Sequence, residues 1–270
     1  MSIITFYKYH GAGNDFIMID GRESLPLDLS DHSAISGLCD RHFGIGADGL
    51  IVLLPDPDHD FRMAYFNADG GEGSFCGNGG RCAVAFARHI GMTTDSSVRF
   101  AAYDGPHRAR MPRADWVELE MRPVKDIKSG EGYYFVDTGS PHYLKIVSDL
   151  EGLDVEREGK AIRYSPEFRE EGTNVNFIEM GLRDLSVRTY ERGVEAETLA
   201  CGTGVVASAL VYHLLRPEEG AREVEVRARG GRLSVRFKFG PDGFSDIWLC
   251  GPAKRVFSGS TNINYGDQSR

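Results

Sequence analysis

Long apolar runs are missing from this chain. The longest unbroken aliphatic stretch is Leu50–Leu54, far short of the roughly 20 residues a membrane-spanning helix needs. Residues 1–20 lack a basic segment followed by an apolar one, so no secretory signal is expected and a cytoplasmic location is. Positive charge is in deficit: 31 Lys and Arg against 40 Asp and Glu leave a net charge of −9. That balance argues against nucleic acid as the main ligand, since phosphate binding needs a basic face. Cysteine is scarce, with five residues and no CxxC pair, which indicates neither a disulfide framework nor a zinc ribbon. P-loop, H-E-x-x-H and EF-hand patterns are absent as well. Disorder is excluded by 41% hydrophobic and 26% charged residues. A chain of 270 residues suffices for one or two domains with a full core.

Glycine is abundant instead, at 33 residues, about 12% against a usual ~7%, and clusters beside Cys and Asn. Such clusters suit backbone brought close to a small ligand. Strand-like segments dominate, among them Ile3–His10, Phe16–Asp20, Leu50–Leu54, Arg62–Asn67, Val98–Ala102 and Trp116–Met121 in the first half. The second half adds Tyr133–Asp137, His142–Val147, Val175–Met180, Leu185–Glu191, Glu223–Ala228, Leu233–Phe239 and Ile247–Cys250, with Gly230-Gly231 as a hairpin turn. Helices are expected after Gly77, stopping at Gly91, and after Gly202, with weaker signals at Asp31–His42 and Asp149–Gly159.

An internal repeat organises these elements. A shift of 125 residues lays Met63–Cys82 over Arg188–Ala207, matching Tyr65 with Tyr190, Glu72 with Glu197, Cys76 with Cys201, Gly77 with Gly202 and Gly79 with Gly204. At an offset near 127, Gly11–Phe16 also resembles Gly139–Tyr143. The expected organisation is two similar halves joined near Pro123–Gly132: residues 1–122 with Cys76, and 123–255 with Cys201. The tail 256–270 is expected to pack back on the first half. Duplicated halves commonly bind ligand in the cleft between them.

Gly44-Ile45-Gly46-Ala47-Asp48-Gly49 matches G-x-G-x-x-G, but a dinucleotide fingerprint must follow a strand and open a helix. Here a helical segment precedes and a strand follows, so this reading is rejected. Cys76-Gly77-Asn78-Gly79 and Cys201-Gly202-Thr203-Gly204 differ in kind. A cysteine just before a helix faces unpaired N–H groups and the positive end of the helix dipole, which favours thiolate. The small residues that follow let an anion approach those N–H groups. A buried cysteine used only for packing is the alternative, but packing alone does not need the duplicated glycines. Cys39, Cys82 and Cys250 lack this context and read as core. Two such thiols suit inversion of a carbon acid, which needs a base on one face and an acid on the other. The N–H groups would stabilise the developing negative charge. No sign of pyridoxal or metal is present, and no cofactor is expected.

Other polar residues are candidates for the same pocket. Asn14, Asn67 and Asn174 sit at strand edges or turns, where Asn is also simply a turn residue. Arg192, after Glu191, suits bidentate carboxylate binding or a surface salt bridge. His142, after Ser140-Pro141, reads as a ligand-shell group or a satisfied core histidine.

The ordered set of motifs resembles the diaminopimelate epimerase family. They are His10-Gly11-Ala12-Gly13-Asn14-Asp15-Phe16, Gly44–Gly49, Asn67-Ala68-Asp69-Gly70, Cys76–Cys82, Gly139-Ser140-Pro141-His142, Asn174-Val175-Asn176-Phe177, Tyr190-Glu191-Arg192-Gly193 and Ala200–Gly204. They span residues 8 to about 257. The resemblance implies an α/β (α+β) fold of two pseudo-symmetric halves, each a curved mixed β-sheet or barrel wrapped around a central helix. It implies cofactor-independent interconversion of LL- and meso-diaminopimelate, in lysine and cell-wall precursor synthesis, by a cytoplasmic homodimer. By resemblance Cys76 and Cys201 are the acid/base pair, and Gly77, Asn78, Gly202 and Thr203 hold the reacting carboxylate. Asn14, Asn67, Asn174, Glu191 and Arg192 bind substrate, mainly its distal end, while His142 and Glu191 lie beside the catalytic pair.

Three departures from the family pattern bear on substrate recognition: Ser140 in place of Asn, an extra residue within Gly193–Thr198 near Glu195-Ala196, and Gly49 in place of a Gln seen in some members. Rival readings are a proline or hydroxyproline racemase, which would not need Arg192 and several Asn side chains; a thiol redox protein; and a non-catalytic amino-acid-binding protein.

Overall fold

The computed structural model describes residues 2–217 and 222–263. The chain divides into two compact units, one running to Leu119 and resuming at Pro252, the other Glu120–Gly251.

In the first unit, β1 (Ser2–Gly11), β2 (Asn14–Asp20), β3 (Gly49–Leu54), β4 (Phe61–Asn67), β5 (Ser97–Ala102), β6 (Gly105–Arg113) and β7 (Trp116–Met121) are joined by β17 (Lys254–Ile263). The sheet order is β17-β1-β2-β3-β4-β5-β6-β7. The pairs β2–β3 and β4–β5 are parallel and the rest antiparallel. A parallel pair needs a crossover, and helices α1 (His32–Cys39) and α2 (Gly77–His89) supply the two.

The second unit repeats this scheme. Its strands are β8 (Lys128–Gly130), β9 (Tyr133–Asp137), β10 (Pro141–Ile146), β11 (Asn174–Met180), β12 (Asp184–Glu191), β14 (Arg222–Ala228), β15 (Gly231–Gly240) and β16 (Gly243–Pro252). They pair in that order with the same succession of parallel and antiparallel partners. Short β13 (Ala196–Thr198) folds back on β12. Helices α3 (Val155–Arg163) and α4 (Gly202–Leu215) make the parallel crossovers. The repeat read from sequence is therefore a repeat of topology.

Helices α2 and α4 are the cores of their units. Gly77–Ala87 is buried without interruption, and α4 is buried from Gly204 to His213. A helix buried on all sides lies inside its sheet rather than on its surface: α2 touches β1, β2, β3, β4, β6 and β17, while α4 touches β9, β10, β11, β12, β14 and β15. This agrees with the α/β class and the sheet wrapped around a central helix expected from sequence. Among the described residues no helix is long and apolar enough to cross a membrane.

Several local expectations need correction. The weak helical signal at Asp149–Gly159 becomes α3 at Val155–Arg163, because Asp154 rather than Asp149 caps it, accepting from Arg157 N. The expected Gly230-Gly231 turn lies one residue earlier, since Ala228 pairs with Gly231 across Arg229-Gly230. Strands β6, β8, β13 and β17 are additional to those the sequence predicts. β17 pairs with β1 from Ser2↔Ile263 to His10↔Lys254; residues 264–270 of the expected returning tail lie outside the described residues.

Candidate active site

Each unit carries one helix headed by a cysteine. Cys76 is the N-cap of α2, with extended backbone at φ −108°, ψ 118°, and Cys201 is the N-cap of α4 at φ −105°, ψ 113°. Their carbonyls accept the first helical bonds, from Gly80 N at 2.8 Å and Val205 N at 2.9 Å. Neither sulfur caps its helix. Both turns therefore have the geometry of an anion-binding helix start.

Around Cys76 the contacts form a chain of side chains. Asn14 Oδ1 lies 3.5 Å from Cys76 Sγ and accepts from Asn78 Nδ2 at 3.3 Å. Arg81 is fully buried, and its guanidinium turns back to donate to Asn78 Oδ1 at 2.8 Å. Behind Asn14 stands Asp48, which accepts from Asn14 Nδ2 at 2.6 Å. A carboxylate only accepts, so Asp48 fixes which end of the Asn14 amide faces the sulfur. Arg41 bridges Asp48 and Asp15, donating to each at 2.7 Å, and buried Lys8 pairs with Asp15 at 2.6 Å. Burial pushes the Asp15 carboxyl up, but Arg41 and Lys8 outweigh it and hold it at about 2. The rejected G-x-G-x-x-G segment thus runs from α1 into β3 and contributes Asp48 to this network.

Around Cys201, Thr203 Oγ1 lies 3.5 Å from the sulfur, and the Thr203 carbonyl accepts from Thr138 Oγ1 at 3.0 Å. His142 on β10 is wholly buried, with Nδ1 3.1 Å from Asn176 Nδ2. Burial, aided by the charge of Arg192, pushes its pKa down to about 3. Asn174 donates to Ser140 Oγ at 2.8 Å and accepts from Arg192 N at 2.9 Å. The Arg192 guanidinium is exposed and donates to the Glu171 carbonyl at 2.9 Å; it has no ion pair among the described residues. Glu191 accepts from Thr198 Oγ1 at 2.8 Å.

The structure brings Asn14, Gly77 and Asn78 together at Cys76, and Gly202 and Thr203 at Cys201. Asn67 ends β4, exposed, in the turn before Gly73 and Cys76. Each departure from the family pattern has a local account. Ser140 is bonded to Asn174. The lengthened stretch turns through Glu195 at φ 58°, whose carboxylate accepts from Gly193 N at 3.1 Å. A Cβ at Gly49 would lie 2.5 Å from the Phe66 carbonyl, which leaves no room for a side chain. Cys39, Cys82 and Cys250 are buried, and burial pushes the Cys39 thiol up to about 12 and likewise raises that of Cys82. Sequence reasoning missed Asp48, Arg81 and Asn176. All three lie inside the motifs, and Asn176 shares a strand face with Asn174 by two-residue spacing.

This fold is shared with solved structures that include a probable proline racemase, a hydroxyproline epimerase and a methylitaconate isomerase. A phenazine biosynthesis protein of the PhzF family from Bacillus anthracis superposes with a TM-score of 0.80 at 15% identity, covering 97% of this chain and 100% of that one. A probable proline racemase from Agrobacterium radiobacter gives 0.74 at 15% identity, covering 98% and 94%. The diaminopimelate epimerase family model matches residues 6–125 and 134–245. The chain is 46% identical over 261 residues to the diaminopimelate epimerase of Chlorobaculum tepidum, spanning 94% of this chain and 99% of that protein. To that of Flavobacterium psychrophilum it is 43% identical over 255 residues, spanning 94% and 98%. The chain belongs to the diaminopimelate epimerase family.

Proposed function

We propose that the protein is a cofactor-independent epimerase that interconverts LL- and meso-diaminopimelate through Cys76 and Cys201. The observation that carries this reading is the duplicated Cys-Gly-x-Gly helix start, at nearly the same backbone angles in both topologically equivalent units, in a member of this family. One sulfur as thiolate removes the α-proton, and the other as thiol returns a proton to the opposite face of the same carbon. The reverse reaction exchanges their roles. First-turn N–H groups at Gly77-Asn78 and Gly202-Thr203 hold the reacting carboxylate and stabilise the carbanion. Asn14, Asn67, Asn174, Glu191 and Arg192 bind the substrate, chiefly at its distal amino-acid end, and His142 stands beside the acid/base pair. On the same reading, which here rests on the family resemblance, the enzyme works as a cytoplasmic homodimer in lysine and cell-wall precursor synthesis.

The test is α-proton exchange in D2O by purified, reduced protein. Deuterium is expected in LL- and meso-diaminopimelate and not in proline. Exchange into proline alone would replace this reading with a proline racemase, and exchange into neither would leave a binding or redox protein.

A further inference from the structure

The two cysteine turns rest on different floors. Gly79 and Gly204 correspond in the 125-residue repeat, as do Ile51 and Asn176. A Cβ on Gly79 would meet Ile51 Cδ1 at 3.1 Å and Met63 Cε at 3.3 Å, an apolar floor. A Cβ on Gly204 would overlap Asn176 Oδ1 and lie 3.4 Å from His142 Cε1. The turn headed by Cys201 is thus packed on an imidazole and an amide.

The hydrogen bonds of Asn176 determine where the proton of that imidazole resides. Its Nδ2 lies 3.0 Å from the Tyr143 carbonyl, which only accepts, so this end of the amide is the NH2. The same NH2 is 3.1 Å from His142 Nδ1, which must then be the unprotonated nitrogen. Thr189 Oγ1 donates to Asn176 Oδ1 at 2.9 Å and holds the amide from its other end. In a neutral ring the proton is then on Nε2. That atom is buried and has no hydrogen-bond partner among the described residues. A buried N–H left unpaired is unfavourable, which points to an acceptor that arrives with a ligand.

We propose that Asn176 is a positioning residue: clamped by Thr189 and the Tyr143 carbonyl, it locks His142 as a neutral Nε2–H donor against the first turn of α4. The donor serves the anion held at that turn, and the proton transfers remain with the thiols. This rests on the epimerase reading above. The charge of Arg192, on the turn after β12, also favours the neutral ring.

Nitrogen-15 spectra of the histidine side chains in the unliganded protein test the lock without substrate, with His142 assigned from the His142→Gln variant. His142 is expected in the Nε2–H form, unchanged between about pH 8 and pH 5. An Nδ1–H form, or an imidazolium by pH 6, overturns the proposal. In Asn176→Asp the carboxylate accepts from Nδ1–H instead, so the tautomer should switch and the ring should titrate near neutral pH. Its kcat on diaminopimelate should fall roughly 10- to 100-fold and acquire that titration, with KM changed less than about twofold. Should Asn176→Asp not fold, His142→Gln carries the test, since its amide offers a neutral N–H near the Nε2 position. His142→Gln should retain at least about tenfold more kcat than His142→Leu; equal kcat values overturn the proposal. The expected spectrum with no exchange into diaminopimelate overturns the epimerase reading and leaves the lock standing.

Discussion

At the scale of single residues the proposal makes two sharp demands. Each thiol serves one face of the carbon, so neither can substitute for the other. Cys76→Ala and Cys201→Ala should each lower kcat by about a thousandfold or more while the melting profile stays near wild type. Retention of near wild-type turnover by either would remove the two-thiol mechanism. The second demand concerns Asp48, which orients Asn14 from behind. Asp48→Ala releases the amide and removes a partner of Arg41, and kcat/KM should fall roughly 10- to 100-fold. Asp48→Asn can still present an oxygen to Asn14 Nδ2 and should lose less. Asp48→Leu keeps the bulk but offers no acceptor to Asn14 Nδ2, so steady-state kinetics of the three variants distinguish orientation from mere bulk. Leu should lose as much as Ala, and a loss no greater than that of Asn would show that bulk suffices.

At the scale of elements the paired glycines are the informative sites. In a helix, alanine is intrinsically about 1 kcal/mol better than glycine, so the neighbours decide the outcome. Gly79→Ala meets the movable ends of Ile51 and Met63 and should change stability by less than about 1 kcal/mol. Gly204→Ala overlaps the clamped Asn176 amide and crowds His142, and should cost about 2–3 kcal/mol. Denaturant unfolding of both variants checks this contrast; equal losses would mean that the floor of α4 yields as readily as that of α2. Elements also explain what the chain itself made readable. The strands legible in the sequence are rich in β-branched and aromatic residues or alternate cleanly, as in Trp116–Met121, whose burial alternates residue by residue. The strand β6 was obscured by Pro106, Pro112 and three arginines, and β17 is mostly exposed and polar. Both exist because neighbouring strands supply their hydrogen bonds, a contribution absent from local propensity.

At the scale of the whole molecule, acid stability depends on the shifted titratable groups, His142 and Asp15 among them. His142 has its pKa lowered from 6.5 to about 3. Between those values the unfolded chain binds a proton that the folded protein refuses, so stability falls as pH drops below about 6.5. The slope from this group is at most about 1.4 kcal/mol per pH unit. Asp15, held at about 2 by Arg41 and Lys8 against the effect of burial, contributes stability above its unfolded value near 4 that is lost as pH falls toward 2. Stability measured by denaturant between pH 7 and pH 4.5 should therefore decline in the wild-type protein and decline less in His142→Gln. Parallel curves would show that His142 does not set the acid limb.

The amino-acid sequence by itself determined the duplication, the two cysteine turns and the crossover helices behind them. These features are local: glycines beside a cysteine, an apolar helical period and a repeated order of segments are encoded over short windows and need no partner to be recognised. It also excluded a dinucleotide reading of Gly44–Gly49 from the order of helix and strand alone. Only the tertiary structure decided that Asp48 of that segment orients Asn14, that Arg81 lies buried beneath Asn78, and that Asn176 and Thr189 fix the proton of His142. Each of these depends on which polar atom meets which across strands 13 to 34 residues apart in sequence, or on a helix turned back onto its own first turn. Hydrogen bonds act over about 3 Å, and that distance is set by packing, not by sequence spacing.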